Sequence, residues 1–256
     1  MPIERRRIIL ASAALAVVAL LFFYFVPPIA QEQRYHVFAD ARTLLGIPNF
    51  WNVVSNLGFA IAGLAGLGKL RGATARVLFA GVLLTCFGSA YYHWAPDDSR
   101  LLWDRLPMTL VFMAFLAAIV GEGWTRCSRL WLLALLLSCG AASVAWWRIT
   151  GDLRPYALVQ FGPILILLPA LWFHRERETL WAIFASYILA KAAEHFDAAV
   201  FSYFPFSGHT LKHLLGALSA WCIYRLLLRA QAPSPRALPD ILLPMPSVGE
   251  SIYPAV

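Results

Sequence analysis

Eight long apolar segments constrain the fold of this chain more than any other feature of its sequence. Several reach the roughly 20 residues that a helix needs to cross a bilayer. The 256-residue chain is 60% hydrophobic and 14% charged, whereas a soluble domain carries about a quarter charged residues. The sequence therefore predicts an all-α membrane protein. The predicted spans are Ile8–Val26, Phe50–Leu70, Val77–Trp94, Leu101–Val120, Leu130–Trp147, Tyr156–Phe173, Leu180–Phe196 and His209–Leu228.

The distribution of Lys and Arg predicts how these spans are oriented. With the N-terminus in the cytoplasm, the cytoplasmic side holds 13 of the 21 basic residues and the other side holds six, while Lys191 and Lys212 fall inside spans. This bias is the one that the positive-inside rule predicts, so we expect both termini in the cytoplasm. Because the basic residues lie in short loops, the net charge of +7 does not indicate nucleic-acid binding.

The first apolar segment has two interpretations. Its basic start, Glu4-Arg5-Arg6-Arg7, followed by an apolar run, is also typical of a signal peptide. The run is about 19 residues long and no A-x-A site follows it, which favours an uncleaved helix. At the other end, six prolines between Pro233 and Pro254 predict an extended or disordered tail.

Five polar residues inside the apolar segments are the strongest indication of function. Ser89 and His93 end the third segment, Asp104 opens the fourth, and His209 and His213 open the last. Residues four apart share a helix face, and the predicted topology places all five at one membrane depth, near the outer face. Ionisable residues in membrane spans usually mark function. Three imidazoles and a carboxylate suit a catalytic zinc site, with iron or copper as alternatives.

Each of these residues also has a structural interpretation. The histidine pair could line a water cavity or pack between helices, and Ser89 could be a helix-packing serine. Asp104 could be only a helix N-cap. Ser207-Gly208 is a plausible cap for the last helix. The agreement in depth favours one metal site over these separate roles.

A second polar cluster lies at the end of the seventh segment and contains Lys191, Glu194, His195 and Asp197. It could be an ion pair satisfied within the bundle, or a set of groups that orient a metal-bound histidine. A third possibility is an ion- or proton-coupled transporter that uses Lys191, Glu194 and Asp197. Their position near one face, without a chain of polar residues across the membrane, counts against transport.

The four cysteines, Cys86, Cys127, Cys139 and Cys222, lie in or near apolar segments without CxxC spacing. This pattern predicts small buried hydrophobic residues rather than metal ligands or a disulfide.

The motifs resemble those of the alkaline ceramidase family, part of a wider seven-helix superfamily that includes the adiponectin and progestin receptors. The matching pattern is Ser89-x-x-x-His93, then Asp104, then His209-x-x-x-His213. The segment Phe50-Trp51-Asn52-Val53-Val54-Ser55-Asn56-Leu57 also resembles the family's opening helix. The resemblance covers about Tyr35 to Leu228. It implies a seven-transmembrane-helix bundle, to which Ile8–Val26 adds an extra N-terminal transmembrane helix. The chain then divides into residues 1–34, a catalytic domain at 35–230 and a cytoplasmic tail at 231–256.

The resemblance further implies a zinc ion held by His93, His209 and His213, with a water in the fourth position. Asp104 would hold this water and move protons, and Ser89 would stabilise the developing oxyanion. The implied substrate is a lipid amide such as ceramide, cleaved to a fatty acid and a sphingoid base.

Better-known members of the family also carry a dense acidic calcium-binding stretch before the first core helix. Here only Glu32, Asp40 and Asn49 could serve, so a calcium site is not predicted. The remaining alternative is a non-enzymatic, receptor-like protein with a structural zinc, against which the lack of a sizeable soluble domain counts. Short loops suit a bacterial inner membrane, where the site would lie near the periplasmic face.

Overall fold

The computed structural model describes residues 3–122 and 125–232, and within these ranges the chain is helical with no β-strand. The predicted tail lies outside them from Pro233 onward. A 3₁₀ turn at Gln33–His36 precedes the second helix. The helices are α1 (Ile3–Phe25), α2 (Phe50–Val54), α3 (Leu57–Lys69), α4 (Ala73–Trp94), α5 (Asp98–Val120), α6 (Arg126–Thr150), α7 (Arg154–Leu167), α8 (Ala170–Phe173), α9 (Arg177–His195), α10 (Asp197–Tyr203) and α11 (Gly208–Gln231).

Six helical segments of the described chain are long and apolar enough to cross a membrane. In two of them a short break joins two helices, α2 with α3 and α7 with α8. The six are Phe50–Lys69, Ala73–Trp94, Asp98–Val120, Arg126–Thr150, Arg154–Phe173 and Gly208–Gln231. The predicted span Ile8–Val26 falls in α1, and Leu180–Phe196 falls mostly in α9, a 19-residue helix that carries Lys191 and Glu194. The seven-helix bundle with an eighth span therefore stays a prediction.

The helices pack side by side around a core that has two parts. Helix α4 packs along α3 and α5, α11 packs against α3 and α9, and α1 lies against α7 and α8. Leu78 and Phe79 of α4 belong to the larger apolar cluster, while Tyr92, near the end of α4, belongs to a smaller cluster with Phe38 and Leu101. The stretch of α4 between the two clusters carries the first of the predicted site residues.

The segment that follows α1 is fastened to the start of α7. The amide of Ile29 donates to Oδ1 of Asp152 at 3.2 Å, and the Arg154 guanidinium donates to the Val26 carbonyl at 2.6 Å. The hydrogen bond from Arg154 lowers the pKa of Asp152 from 3.8 to about 2. These contacts hold the connection between α1 and α2 against the end of the bundle that contains the histidines.

All four cysteines are free thiols. Cys86 is buried and Cys222 is partly buried, as expected of small apolar residues, but Cys127 and Cys139 are exposed. The prediction of burial is wrong for these two because they lie on α6, whose apolar stretch is only 28% buried within the protein. A helix with this pattern presents most of its surface to lipid.

Candidate active site

The three predicted histidines meet in one buried cluster. His93 lies in the last turn of α4, and His209 and His213 occupy the first two turns of α11. All three are at least 96% buried. One nitrogen of each ring lies within 4.8 Å of the others. The i,i+4 spacing therefore places both α11 rings opposite the ring from α4, as the sequence predicted.

This cluster fits a metal ion. Nε2 of His93 and Nε2 of His213 face each other at 3.1 Å. Ligand nitrogens about 2.0–2.1 Å from a tetrahedral ion lie roughly 3.4 Å apart, so this separation is close to that of two zinc ligands. Nδ1 of His93 has no hydrogen-bond partner among the described residues. Three imidazoles that converge away from water provide the nitrogen donors that zinc, copper and iron accept.

His213 is oriented by the break between α2 and α3. The Ser55 hydroxyl lies 2.8 Å from Nδ1 of His213 and donates to the Asn52 carbonyl at 3.4 Å, which leaves its oxygen free to accept from the ring. With the proton on Nδ1 donated to this oxygen, Nε2 is available as a metal ligand. Thr210 donates to the Asn52 side chain at 2.8 Å, and Asn49 donates to the His93 carbonyl at 2.8 Å. Asn49 thus contacts α4, while Asn52 and Ser55 contact α11, so this segment binds both histidine-bearing helices.

Asp197 fixes the start of α11. Its Oδ1 accepts from the His209 amide at 2.6 Å, and its Oδ2 accepts from the Ala39 amide at 2.7 Å. Ser207 occupies the N-cap position, but its buried hydroxyl makes no hydrogen bond among the described residues. The predicted position of the cap is therefore confirmed, but the Ser207 side chain does not cap the helix. Gly208 permits this arrangement, since a Cβ there would meet the Ala193 carbonyl at 2.1 Å.

Phe38 covers the histidine cluster. Its ring centroid lies 4.8 Å from that of His93 and 4.6 Å from that of His209, both in edge contacts. Nearby, Asp40 forms an ion pair with Arg42 at 2.7 Å. Burial raises the pKa of Asp40, but the hydrogen bonds from Arg42 outweigh it and lower the pKa overall. This ion pair stabilises the loop that carries Phe38 and so holds the Phe38 ring over the histidines. The contact between Phe38 and the histidines was not predicted from the sequence.

Ser89 and Asp104 lie side by side on α4 and α5. Both are buried, and both line the cavity that His213 also lines. A Cβ at Gly88 would meet the Trp103 carbonyl at 2.0 Å, so glycine is what lets the two helices approach here. Asp104 is not a helix cap, because α5 begins at Asp98 and the side chain of Asp97 accepts from the Arg100 amide.

An ion-pair cluster lies beside the histidines. Glu194 of α9 contacts the ammonium of Lys191 and accepts from Lys212 of α11 at 2.5 Å. Tyr35 donates to Glu194 at 3.2 Å. Burial, then the charges of Glu194 and Asp104, raise the pKa of Tyr35 well above its usual value, so it remains a donor. The sequence indicated the pairing of Lys191 with Glu194.

The sequence analysis placed Lys212 inside a span but did not assign it to the site, although it lies three residues after His209 and one before His213. Its Nζ is 3.4 Å from Nε2 of His209. The signal that could have found it was the i,i+3 spacing from His209, which places both side chains on one face of α11. His195, by contrast, packs against Phe196 and is not part of the ion-pair cluster.

An apolar cavity of about 150 Å³ extends from this site into the bundle. Its lining runs from Asp104 to Phe115 on α5 and from Lys212 to Ile223 on α11. At 1.5 Å of rise per residue, each wall is roughly 16 Å long. Helices α7 and α9 form the opposite walls. The polar groups of the site thus lie at one end of a channel that could accommodate a hydrocarbon chain.

The ceramidase family model matches residues 44–194, more than half of the chain. The chain belongs to the ceramidase family. The match includes Ser89, His93, Asp104 and Glu194 and ends before α11. A comparison with curated proteins found no match. Family membership implies a hydrolase that acts on the amide bond of a lipid within a membrane, and the three histidines of this ceramidase could hold a metal ion.

Proposed function

We propose that this ceramidase-family protein is a zinc-dependent amidohydrolase that cleaves the linear amide of ceramide or a similar N-acyl lipid. The products are a fatty acid and a sphingoid base or another amine. The observation that carries the proposal is the buried cluster of three histidines, one of which, His213, lines an apolar cavity together with Ser89 and Asp104. Lipid amides have this shape, a polar linkage attached to a long hydrocarbon chain.

His93, His209 and His213 would hold the zinc ion. Zinc bound there would lower the pKa of a coordinated water and polarise the amide carbonyl. Calcium is not part of the proposal, because the candidate ligands before the first core helix are only Glu32, Asp40 and Asn49, and Asp40 is paired with Arg42.

Asp104 and Ser89 have separate roles in the proposed reaction. Asp104 accepts a proton from the attacking water and delivers it to the leaving nitrogen. The Ser89 hydroxyl donates a hydrogen bond to the carbonyl oxygen as negative charge develops there. Both side chains are fixed by the close contact of α4 with α5 at Gly88, so little reorganisation is needed during the reaction.

The proposal includes a membrane arrangement. The chain would cross the membrane eight times, through the extra N-terminal helix in residues 1–34 and a seven-helix catalytic domain at 35–230, with residues 231–256 as a cytoplasmic tail. Both termini would be cytoplasmic, and the site would lie near the periplasmic face of a bacterial inner membrane. A lipid's amide would then reach the histidines while its chain enters the cavity.

Fatty-acid release from N-acyl lipids tests this function. The purified protein, with its zinc content measured, is offered ceramides and other N-acyl lipids, and mass spectrometry follows the fatty acid with and without a zinc chelator. We expect release that is sensitive to the chelator and absent in His213→Ala. His174→Ala is the matched control, since His174 contacts Glu122 away from the cavity. Zinc binding without release from any lipid would contradict the proposal and favour a receptor-like protein.

A further inference from the structure

Two of the three lysines in this chain line the cavity of the active site. Lys191 lies on α9 and Lys212 on α11, while Lys69, at the end of α3, is exposed. An ammonium inside a membrane protein is costly and usually marks a function. Because both lysines line the cavity that His213 also lines, we assign this function to the same site.

The two ammonium groups share a single carboxylate. Glu194 pairs with both, and it also accepts a hydrogen bond from Tyr35. Among the residues that line the cavity, the carboxylate is that of Asp104, which lies against Ser89. An ammonium has three N–H donors. Lys191 uses one on Glu194, and Lys212 uses one on Glu194 and can use a second on Nε2 of His209, so each still has a donor for a ligand.

Lys212 lies close to the reacting bond. Its Nζ is 3.4 Å from the ring of His209, so a group bound to it lies within a few atoms of an amide held at the histidines. Lys191 lies farther out, over the ring of Phe161 at 5.8 Å from the centroid. Its side chain keeps 33% of its area exposed. Lys191 thus lies toward the edge of the cavity, and Lys212 lies next to the histidines.

We infer that the site prefers N-acyl lipids whose amine portion carries an anionic group, with Lys191 and Lys212 as the residues that recognise it. This inference rests on the proposed amidohydrolase function. In an N-acyl amino acid the carboxylate is one carbon from the scissile nitrogen, which matches the short separation of Lys212 from His209. Hydrogen bonds between charged groups are about twice as strong as neutral ones, so an anion gains more from these lysines than the hydroxyls of ceramide do.

The reaction is an ordinary hydrolysis of such a lipid. The amide C–N bond breaks, the oxygen of one water joins the acyl carbon, and a proton passes to the nitrogen. A fatty acid and a free amino acid leave the site, and no further reactant is required.

A matched pair of substrates tests the preference. N-oleoylglycine and N-oleoylethanolamine have the same acyl chain and a similar size, but only the first is anionic. With the full-length, zinc-loaded protein in mild detergent, we expect kcat/KM to be about tenfold or more higher for N-oleoylglycine. Lys191→Met should reduce this ratio about tenfold, mainly by raising KM for N-oleoylglycine. Lys191→Arg should keep most of the preference because it keeps the charge.

Lys69→Met is the control, since it removes the exposed lysine and should leave the ratio unchanged. A preference of the wild-type protein for N-oleoylethanolamine, or an unchanged ratio in Lys191→Met protein that retains its zinc, overturns the inference. Cleavage of ceramide but not of N-oleoylglycine overturns the inference alone. If none of these lipids is cleaved, both the inference and the proposed amidohydrolase function are wrong.

Discussion

The Ser55 hydroxyl lies 2.8 Å from Nδ1 of His213, although 158 residues separate the two along the chain. This contact determines which nitrogen of His213 faces the other histidines. Replacing Ser55 with Ala should therefore lower zinc affinity about 10- to 100-fold. Competition with a fluorescent zinc chelator measures the change. Ser128→Ala, which alters only an exposed hydroxyl that contacts Thr125, should bind zinc as the wild type does. Equal affinities in all three proteins would disprove the role of Ser55.

Gly88 should tolerate no side chain. A Cβ at this position would meet the Trp103 carbonyl at 2.0 Å, so Gly88→Ala must push α4 away from α5. We expect a loss of about 1–3 kcal/mol of stability, together with lower activity, because Ser89 and Asp104 would move apart. Thermal unfolding and fatty-acid release measure the two effects. Gly68→Ala is the control, since its Cβ would meet nothing within 4 Å, and it should be at least as stable as the wild type.

Asp197→Ala should affect the metal site through the backbone. The variant loses the acceptor for the amides of His209 and Ala39, which should cost about 1 kcal/mol of stability. Because the same carboxylate fixes His209, zinc affinity should also fall, by about tenfold. Asp97→Ala removes the cap of α5 and should lose similar stability without the change in zinc affinity. Unchanged zinc binding in Asp197→Ala would show that Asp197 serves only as a cap.

The contact between Asp152 and Arg154 predicts a pH dependence of stability. The pKa of Asp152 is lowered to about 2 from 3.8, mainly by the hydrogen bond from Arg154. A carboxyl with a lowered pKa in the folded chain stabilises the fold above its unfolded pKa, and this contribution is lost as the pH falls through the folded value. Thermal stability should therefore decrease between about pH 4 and pH 2. Asp152→Asn should be less stable at pH 7 and should lose this part of the decrease. If thermal stability depends on pH in the same way in the wild type and in Asp152→Asn, the prediction for Asp152 is wrong.

Much of the site could be predicted from the sequence because its ligands come from short helical spacings. His209 and His213 are four residues apart, and Ser89 and His93 repeat this spacing, so each pair must share a helix face. The contacts of Ser55 and Phe38 could not be predicted in the same way. Both residues belong to segments distant in the chain from α11, and no local pattern indicates which ring they touch.

The helices were easier to predict than their ends and their roles. Apolar runs predict the presence of a helix, but α5 begins at Asp98 rather than at Leu101 because the side chain of Asp97 caps it. Ser207 is a residue type favoured at a cap, yet Asp197 takes that role through a fold that brings α10 beside α11. At the start of α11, the tertiary contact with Asp197 therefore satisfies the His209 amide, and the local preference for a serine cap does not.

The ring of Phe38, packed on His93 and His209, has a kinetic consequence. On the side of the loop, an ion held by the three histidines is separated from water by this ring, and on the other side it faces an apolar cavity. We expect the ion to escape to the aqueous phase when the loop that carries Phe38 is displaced. Zinc loss should then proceed at the rate of loop opening, so that raising the chelator concentration ceases to hasten it.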